Sequence, residues 1–274
     1  MSGSCYGRAD MAGICHSDVT DRDYGKRQPR RWGLRRARDR VQGAEMTEYD
    51  RYAIYYLPDP GPLADFGASW LGWDVQLGRP VDHPVGHPDL GALPIAHLTA
   101  TPRKYGLHGT IKPPFRLAEG TDAAGLAQAM ERLCTGLARV ELPGLALNRL
   151  GGFLALRPTG DQTRLAAMAA QVVMELDAFR APPTEAEIAR RQANGLSPRQ
   201  AELLERWGYP YVMDQFHFHI TLTGRLGDEA AGVEEALRPV ITPLLPTPFR
   251  VDTLCLCGER EGRFHLIHRY TLSG

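Results

Sequence analysis

The chain has 274 residues, 43% of them hydrophobic, enough for one large or bilobal domain with an ordinary core. Its 32 basic and 32 acidic residues cancel, which disfavours extended nucleic-acid binding but leaves room for a small anionic ligand held by local groups. No run approaches the roughly 18 apolar residues of a membrane helix, and the N-terminus lacks a secretory h-region, so no membrane association is expected.

Residues 1–45 carry 10 Lys/Arg against 6 Asp/Glu, with sparse, aperiodic apolar positions. Such a segment buries too little surface to offset its ordering entropy. It reads as a disordered basic tail, or an over-extended start ahead of Met46, in preference to a nucleic-acid arm or transit peptide. The folded domain is placed at 46–274.

There, 52–57 is an apolar, β-rich run ended by Pro58, and a helix follows over 60–73. Residues 74–92 read as loop. A strand over 107–112 stops at Pro113-Pro114, and Thr121 or Asp122 caps a helix to about 138. Strands at 140–147 and 153–157 flank Gly151-Gly152, and a helix runs from Asp161 or Thr163 to about 179. A polar insert at 182–207 holds two helices, the second opened by Ser197 as N-cap and Pro198 at the first position. It is a candidate lid. A strand over 216–223, a helix over 229–240 and a hairpin of 250–257 with 263–272 complete the chain. The unit of histidine-bearing strand, helix and two strands occurs twice, from Leu107 and from Phe216, which predicts an α+β protein with two similar lobes.

The sharpest signal is the second of these strands. Phe216, Phe218, Ile220 and Leu222 alternate with His217, His219, Thr221 and Thr223, giving one apolar and one polar face. In the first strand His108 and Thr110 likewise share a face, with Lys112 next along it. His-x-Thr occurs three times, where composition alone gives about half of one. The third, His97-Leu98-Thr99, lacks the apolar opposite face. Two imidazoles suit phosphodiester opening, one as base and one as acid, because histidine titrates near neutrality. Thr110 and Thr221 can bind non-bridging oxygens, and Lys112 can add positive charge.

Tyr105-Gly106-Leu107-His108-Gly109-Thr110-Ile111-Lys112-Pro113-Pro114-Phe115, with Phe218-His219-Ile220-Thr221-Leu222-Thr223-Gly224, resembles the two-histidine (2H) phosphoesterase superfamily, closest to its phosphonate-metabolism branch. The resemblance runs from about Tyr49 to Leu272. It implies a pseudo-twofold bilobal α+β fold, two antiparallel sheets flanked by helices around a central cleft. It further implies hydrolysis of a cyclic nucleotide or cyclic ribose phosphate, with His108 and His219 catalytic, Thr110 and Thr221 on the phosphate, and neither cofactor nor metal. Family members commonly have an arginine at the position of His217 here.

Tyr105 is a candidate stacking contact, alongside Lys112 and His217 as further substrate contacts. One of His265 and His268 could reach the cleft. His83 and His87, with Asp82 and Asp89, lie in a proline-rich stretch and read as surface loop. No Walker-type or dinucleotide glycine loop is present. Cys5, Cys15, Cys134, Cys255 and Cys257 are odd in number and scattered, and read as reduced residues of a cytoplasmic protein. The expected partner is a small phosphorylated nucleotide or sugar. Two rival readings are a non-catalytic module for RNA ends or nucleotides, and a metal-dependent hydrolase built on His83, His87 and His97.

Overall fold

The computed structural model describes residues 49–193 and 195–274; the basic segment 1–45, Cys5 and Cys15 lie outside them. The elements in chain order are β1 (Arg51–Tyr56), α1 (Pro62–Leu71), β2 (Trp73–Asp74), β3 (Arg79–Pro80), α2 (Ile95–Leu98) and β4 (Gly109–Phe115). Next come α3 (Ala123–Gly136), β5 (Val140–Leu142), β6 (Leu145–Leu150), β7 (Phe153–Pro158) and α4 (Thr163–Glu175). The chain then forms α5 (Glu185–Gln192), α6 (Pro198–Trp207), β8 (Ile220–Thr221), α7 (Ala230–Ile241), β9 (Phe249–Val251), β10 (Thr253–Arg260) and β11 (Arg263–Thr271).

The helix starts follow local chemistry. Asp122 accepts from Gly125 N at 2.7 Å and caps α3. Thr184 with Glu187, and Ser197 with Gln200, form capping boxes that open α5 and α6. Each long helix buries one stripe: Leu63, Trp70 and Leu71 of α1, Leu126 and Met130 of α3, Leu165 and Val172 of α4, Val233 and Leu237 of α7. These stripes share one core with Ile54, Ile111, Phe218 and Ile220. The helices therefore cover one face of the sheet.

That sheet has seven strands in the order β11-β10-β1-β4-β8-β7-β6, and every neighbouring pair is antiparallel. Where two sheets were expected, the principal one is single, accompanied by the small pairs β2–β3 and β5–β9. β4 and β8, each preceded immediately by its histidine, His108 and His219, are neighbours inside it, joined at Gly109↔Ile220. The face away from the helices carries a smaller cluster that includes Ala53, Tyr55, Trp73, Cys255 and Phe264. Cys134, Cys255 and Cys257 are buried free thiols. Among the described residues no helix is long and apolar enough to cross a membrane.

Three expectations need correction. The strand over 216–223 narrows to Ile220–Thr221 in β8, and its flanks are held instead by side chains. The Trp70 indole donates to Leu222 O at 2.8 Å, and Leu154 N donates to the Thr223 hydroxyl at 3.0 Å. The first strand does not stop at Pro113-Pro114 but runs to Phe115, because register shifts against β1 lift the prolines out of the regular ladder.

The third correction concerns Lys112. Thr110 pairs with Tyr55, yet Lys112 pairs with Ile54, so Ile111 is an extra residue. This bulge cancels the period-two alternation that would have set Lys112 beside Thr110. Lys112 is buried instead, donates from Nζ to Val173 O at 3.0 Å and pairs with Asp177 at 3.6 Å, at the end of α4. Burial lowers its pKa to about 8, against the opposing pull of Asp177. A buried ammonium whose partners are retained should be costly to truncate and cheap to replace by an apolar chain of equal length. Lys112→Ala is expected to lose about 3 kcal/mol in urea unfolding at neutral pH, and Lys112→Met to stay within about 1 kcal/mol of wild type.

Candidate active site

The bridge Gly109↔Ile220 fixes the site. Both histidines lie one residue outside the strands that this bridge joins, and an antiparallel register continued to them points His108 toward Thr221 and Thr110 toward His219. Gly109 and Ile220 point to the helices, so these four side chains share the opposite face, each histidine beside the other strand's threonine. Directly opposed Cβ atoms lie about 5 Å apart and the diagonal pair, the two histidines, about 7 Å. That spacing admits one phosphate between the rings. The match 155↔221 with β7 brings Ala155 beside Thr221 and, by the same register, Arg157 beside His219.

Both rings are oriented alike. His108 Nδ1 lies 2.9 Å from Gly106 O, and His219 Nδ1 lies 2.8 Å from His217 O. A carbonyl only accepts, so each Nδ1 carries the proton and each Nε2 is the basic nitrogen of the neutral ring. The rest of the packing differs. His108 sits 4.2 Å from the Tyr55 ring and 5.4 Å from Tyr105, whereas His219 has Phe153 at 5.8 Å.

Burial pushes His108 down from 6.5 to about 4, partly offset by its bond to Gly106 and aided by the His219 charge. His219 is lowered too, chiefly by burial, then by Arg157 and His217 against the bond to its own backbone partner. Both rings are therefore neutral in the empty site at pH 7. Neither threonine hydroxyl has a hydrogen-bond partner among the described residues. The four groups thus combine two free basic nitrogens with two free hydroxyls.

Two cavities of about 620 Å³ each flank this wall, sharing Thr110, Pro113, Phe153 and Tyr209. One contains His108 and Thr221 and is lined by Arg51, Lys104, Arg190, Arg191 and Arg225, with no carboxylate in its lining. The other contains His217 and His219, with Arg157 as its one Lys/Arg, and is otherwise walled by Tyr211, Val212, Phe216 and similar groups. Arg190, Arg191 and Tyr209 come from the 182–212 region, which overhangs the wall. In a chain of zero net charge, five basic residues and no acidic one line this half of the cleft, which favours an anion there.

Tyr105 lines the charged half, stacked on Phe264 at 5.3 Å. His217 is exposed in the apolar half. Lys112 lines neither. His97-Leu98-Thr99 is not on a strand: it falls on α2, and the Thr99 hydroxyl donates back to Ile95 O at 2.7 Å. His83 Nδ1 meets Ser69 O and Trp70 O at 3.1 Å, at the end of α1. Among the described residues no three His, Cys, Asp or Glu cluster at metal-binding range. His265 packs on Trp73 at 5.2 Å and His268 on Tyr270 at 4.5 Å; neither lines the cleft.

Sequence reasoning missed Tyr55, Arg51, Phe153, Arg157 and the overhanging Arg190, Arg191 and Tyr209. Tyr55 was hidden in the apolar run 52–57, although a period-two reading puts it on the face opposite Ile54. The pair Arg190-Arg191 carried no local motif.

The family model described as "Protein of unknown function (DUF1045)" matches residues 110–265. Two curated relatives are named "Ribose 1,5-bisphosphate phosphokinase PhnN". That of Janthinobacterium sp. (strain Marseille) is 36% identical over 226 residues, covering 80% of this chain and 49% of the relative. That of Laribacter hongkongensis (strain HLHK9) is 38% identical over 179 residues, covering 65% of this chain and 41% of the relative. The chain spans about half the length of these relatives or less. A solved structure described as "Crystal structure of phosphoesterase" aligns with 83% of this chain and 100% of its own at 17% identity, with a TM-score of 0.38, too low to assign a fold. The family match takes in more than half of the sequence, both His-x-Thr threonines included, and the chain belongs to the DUF1045 family.

Proposed function

We propose that the protein hydrolyses a cyclic phosphodiester, of a nucleotide or of ribose, by a two-histidine acid/base mechanism without a metal. The observation that carries this is the shared face of His108, Thr110, His219 and Thr221, fixed by one strand pairing. The phosphorus sits between the rings. One Nε2 takes a proton from water as its oxygen attacks phosphorus. The other ring, protonated, gives its proton to the ester oxygen as the P–O bond breaks, leaving a phosphate monoester. Thr110 and Thr221 hydroxyls donate to the non-bridging oxygens, where negative charge builds.

The relatives' name refers to a phosphorylated ribose, which supports a phosphorylated pentose as substrate class and a place in phosphonate metabolism. Their kinase designation is not carried over: this sequence has no G-x-x-x-x-G-K-[ST] loop, and half of each relative lies outside the match. The charged half of the cleft supports an anionic substrate in either case.

The test is turnover of 2′,3′-cyclic nucleotides and cyclic ribose phosphates in the presence of EDTA. Wild type is expected to turn over at least one of them undiminished by chelator. His108→Ala and His219→Ala are each expected to lose about 10³-fold or more in kcat, since each removes one proton-transfer partner. Near-wild-type rates in both variants would refute the mechanism. Tight binding with no turnover across the panel would favour a nucleotide-binding module.

The pH dependence has a definite sign. The pKa of each ring is lowered in the free protein, so the protonated acid is lost as pH rises even below 6.5. A bound phosphate anion favours the imidazolium and raises these values. The maximum in kcat/KM, which reports free protein, is therefore expected below pH 6.5, with the kcat maximum displaced to higher pH. A kcat/KM that still climbs between pH 7 and 8 would contradict this.

A further inference from the structure

Buried donors without an acceptor are rare in folded proteins, because burial removes the water that would otherwise satisfy them. Among the described residues three side-chain donors are in this state: Tyr55 Oη, Arg191 Nε and Arg263 Nη1. Two of the three, from Tyr55 and Arg191, belong to residues lining the same cavity, the charged half of the cleft. Tyr55 is 0% exposed, pairs with Thr110 in the sheet and packs its ring 4.2 Å from that of His108. Burial holds its hydroxyl protonated, as a donor. Arg191 approaches from α5, with its guanidinium carbon 4.5 Å from the centre of the Tyr209 ring. The first group is rooted in the sheet and the second in the overhang, so they close on the cavity from two sides.

A guanidinium only donates, and so does a tyrosine held neutral against an anion. What satisfies both is a group rich in acceptor oxygens. A cyclic phosphodiester has two non-bridging oxygens and one negative charge, already matched by the Thr110 and Thr221 hydroxyls. The cavity offers far more, because Arg51, Lys104 and Arg225 line it as well and no carboxylate does. Arg51 is paired with Glu259, which lies outside the lining. The other half of the cleft, largely apolar and aromatic, suits the remainder of the ligand.

We propose that Tyr55 Oη and Arg191 Nε, backed by Arg51 and Lys104, bind a second anionic group of the ligand. The preferred substrate is then a pentose or nucleoside that carries a terminal phosphate monoester besides its cyclic phosphodiester. This rests on the hydrolase reading for the cyclic group, but the second site can be read without turnover.

The experiment is calorimetric binding of adenosine 3′,5′-bisphosphate and adenosine 3′-monophosphate, which differ by one phosphate, to wild type, Tyr55→Phe and Arg191→Gln. Wild type is expected to prefer the bisphosphate at least tenfold. Each variant should bring the ratio of the two dissociation constants below threefold, at a thermal midpoint near that of wild type. Tyr55→Phe keeps the ring that packs on His108, and Arg191→Gln alters an overhang helix, so the two report independently of each other's folding. A wild-type ratio near one overturns the proposal, as do variants that weaken both ligands equally. Rates on adenosine 2′,3′-cyclic monophosphate with and without a 5′-phosphate are read in parallel. No turnover here or across the panel of cyclic nucleotides and cyclic ribose phosphates, with the binding preference intact, sinks the hydrolase and leaves the second site. Turnover with no preference does the reverse.

Discussion

The site hangs on a single pairing, Gly109 with Ile220. The two histidines and their threonines are placed by it, because an antiparallel register has one free parameter and a slip of one residue turns each side chain to the other face. The residue at the bridge matters for this reason. A Cβ on Gly109 would come within 2.2 Å of the Phe218 ring, so only glycine lets that ring fill the core directly behind the wall. Core packing behind and chemistry in front are thus two sides of one close approach between strands.

The electrostatics follow from the same placement. Burial desolvates both imidazoles, and Arg157 adds its charge beside His219, so both influences disfavour the imidazolium. A cleft so arranged rests in a form with two bases and no acid. An anion entering the cleft stabilises the protonated form of either ring, so the charge of a ligand and the protonation of the rings are linked.

The parts of this architecture that obey strict periodicity were legible in the sequence. The alternation from Phe216 to Thr223 identified both the core face and the polar face, and Ser197-Pro198 marked the start of α6 to the residue. Lys112 was not legible, because a bulge at Ile111 depends on how β1 and β4 pair and leaves no local signature. The union of the expected two sheets into one is likewise a long-range fact, decided where β4 meets β8. Tyr55 looked like core and is core, yet its hydroxyl also borders the cleft. Arg190 and Arg191 stood in a polar segment where charge is ordinary, and only the fold of that segment brings them to the cleft.

The manner in which β8 is fastened has a mechanical consequence. Its ladder is two residues long, and the stretch beyond is tied from behind by the Trp70 indole on Leu222 and by Thr223 on Leu154. His217 to His219 precede the ladder, and Phe218 between them is anchored in the core behind Gly109. His108, by contrast, is wedged between two tyrosine rings. The two imidazoles are therefore held differently: the first by aromatic rings on two sides, the second by a hydrogen bond within its own segment and a single phenyl contact.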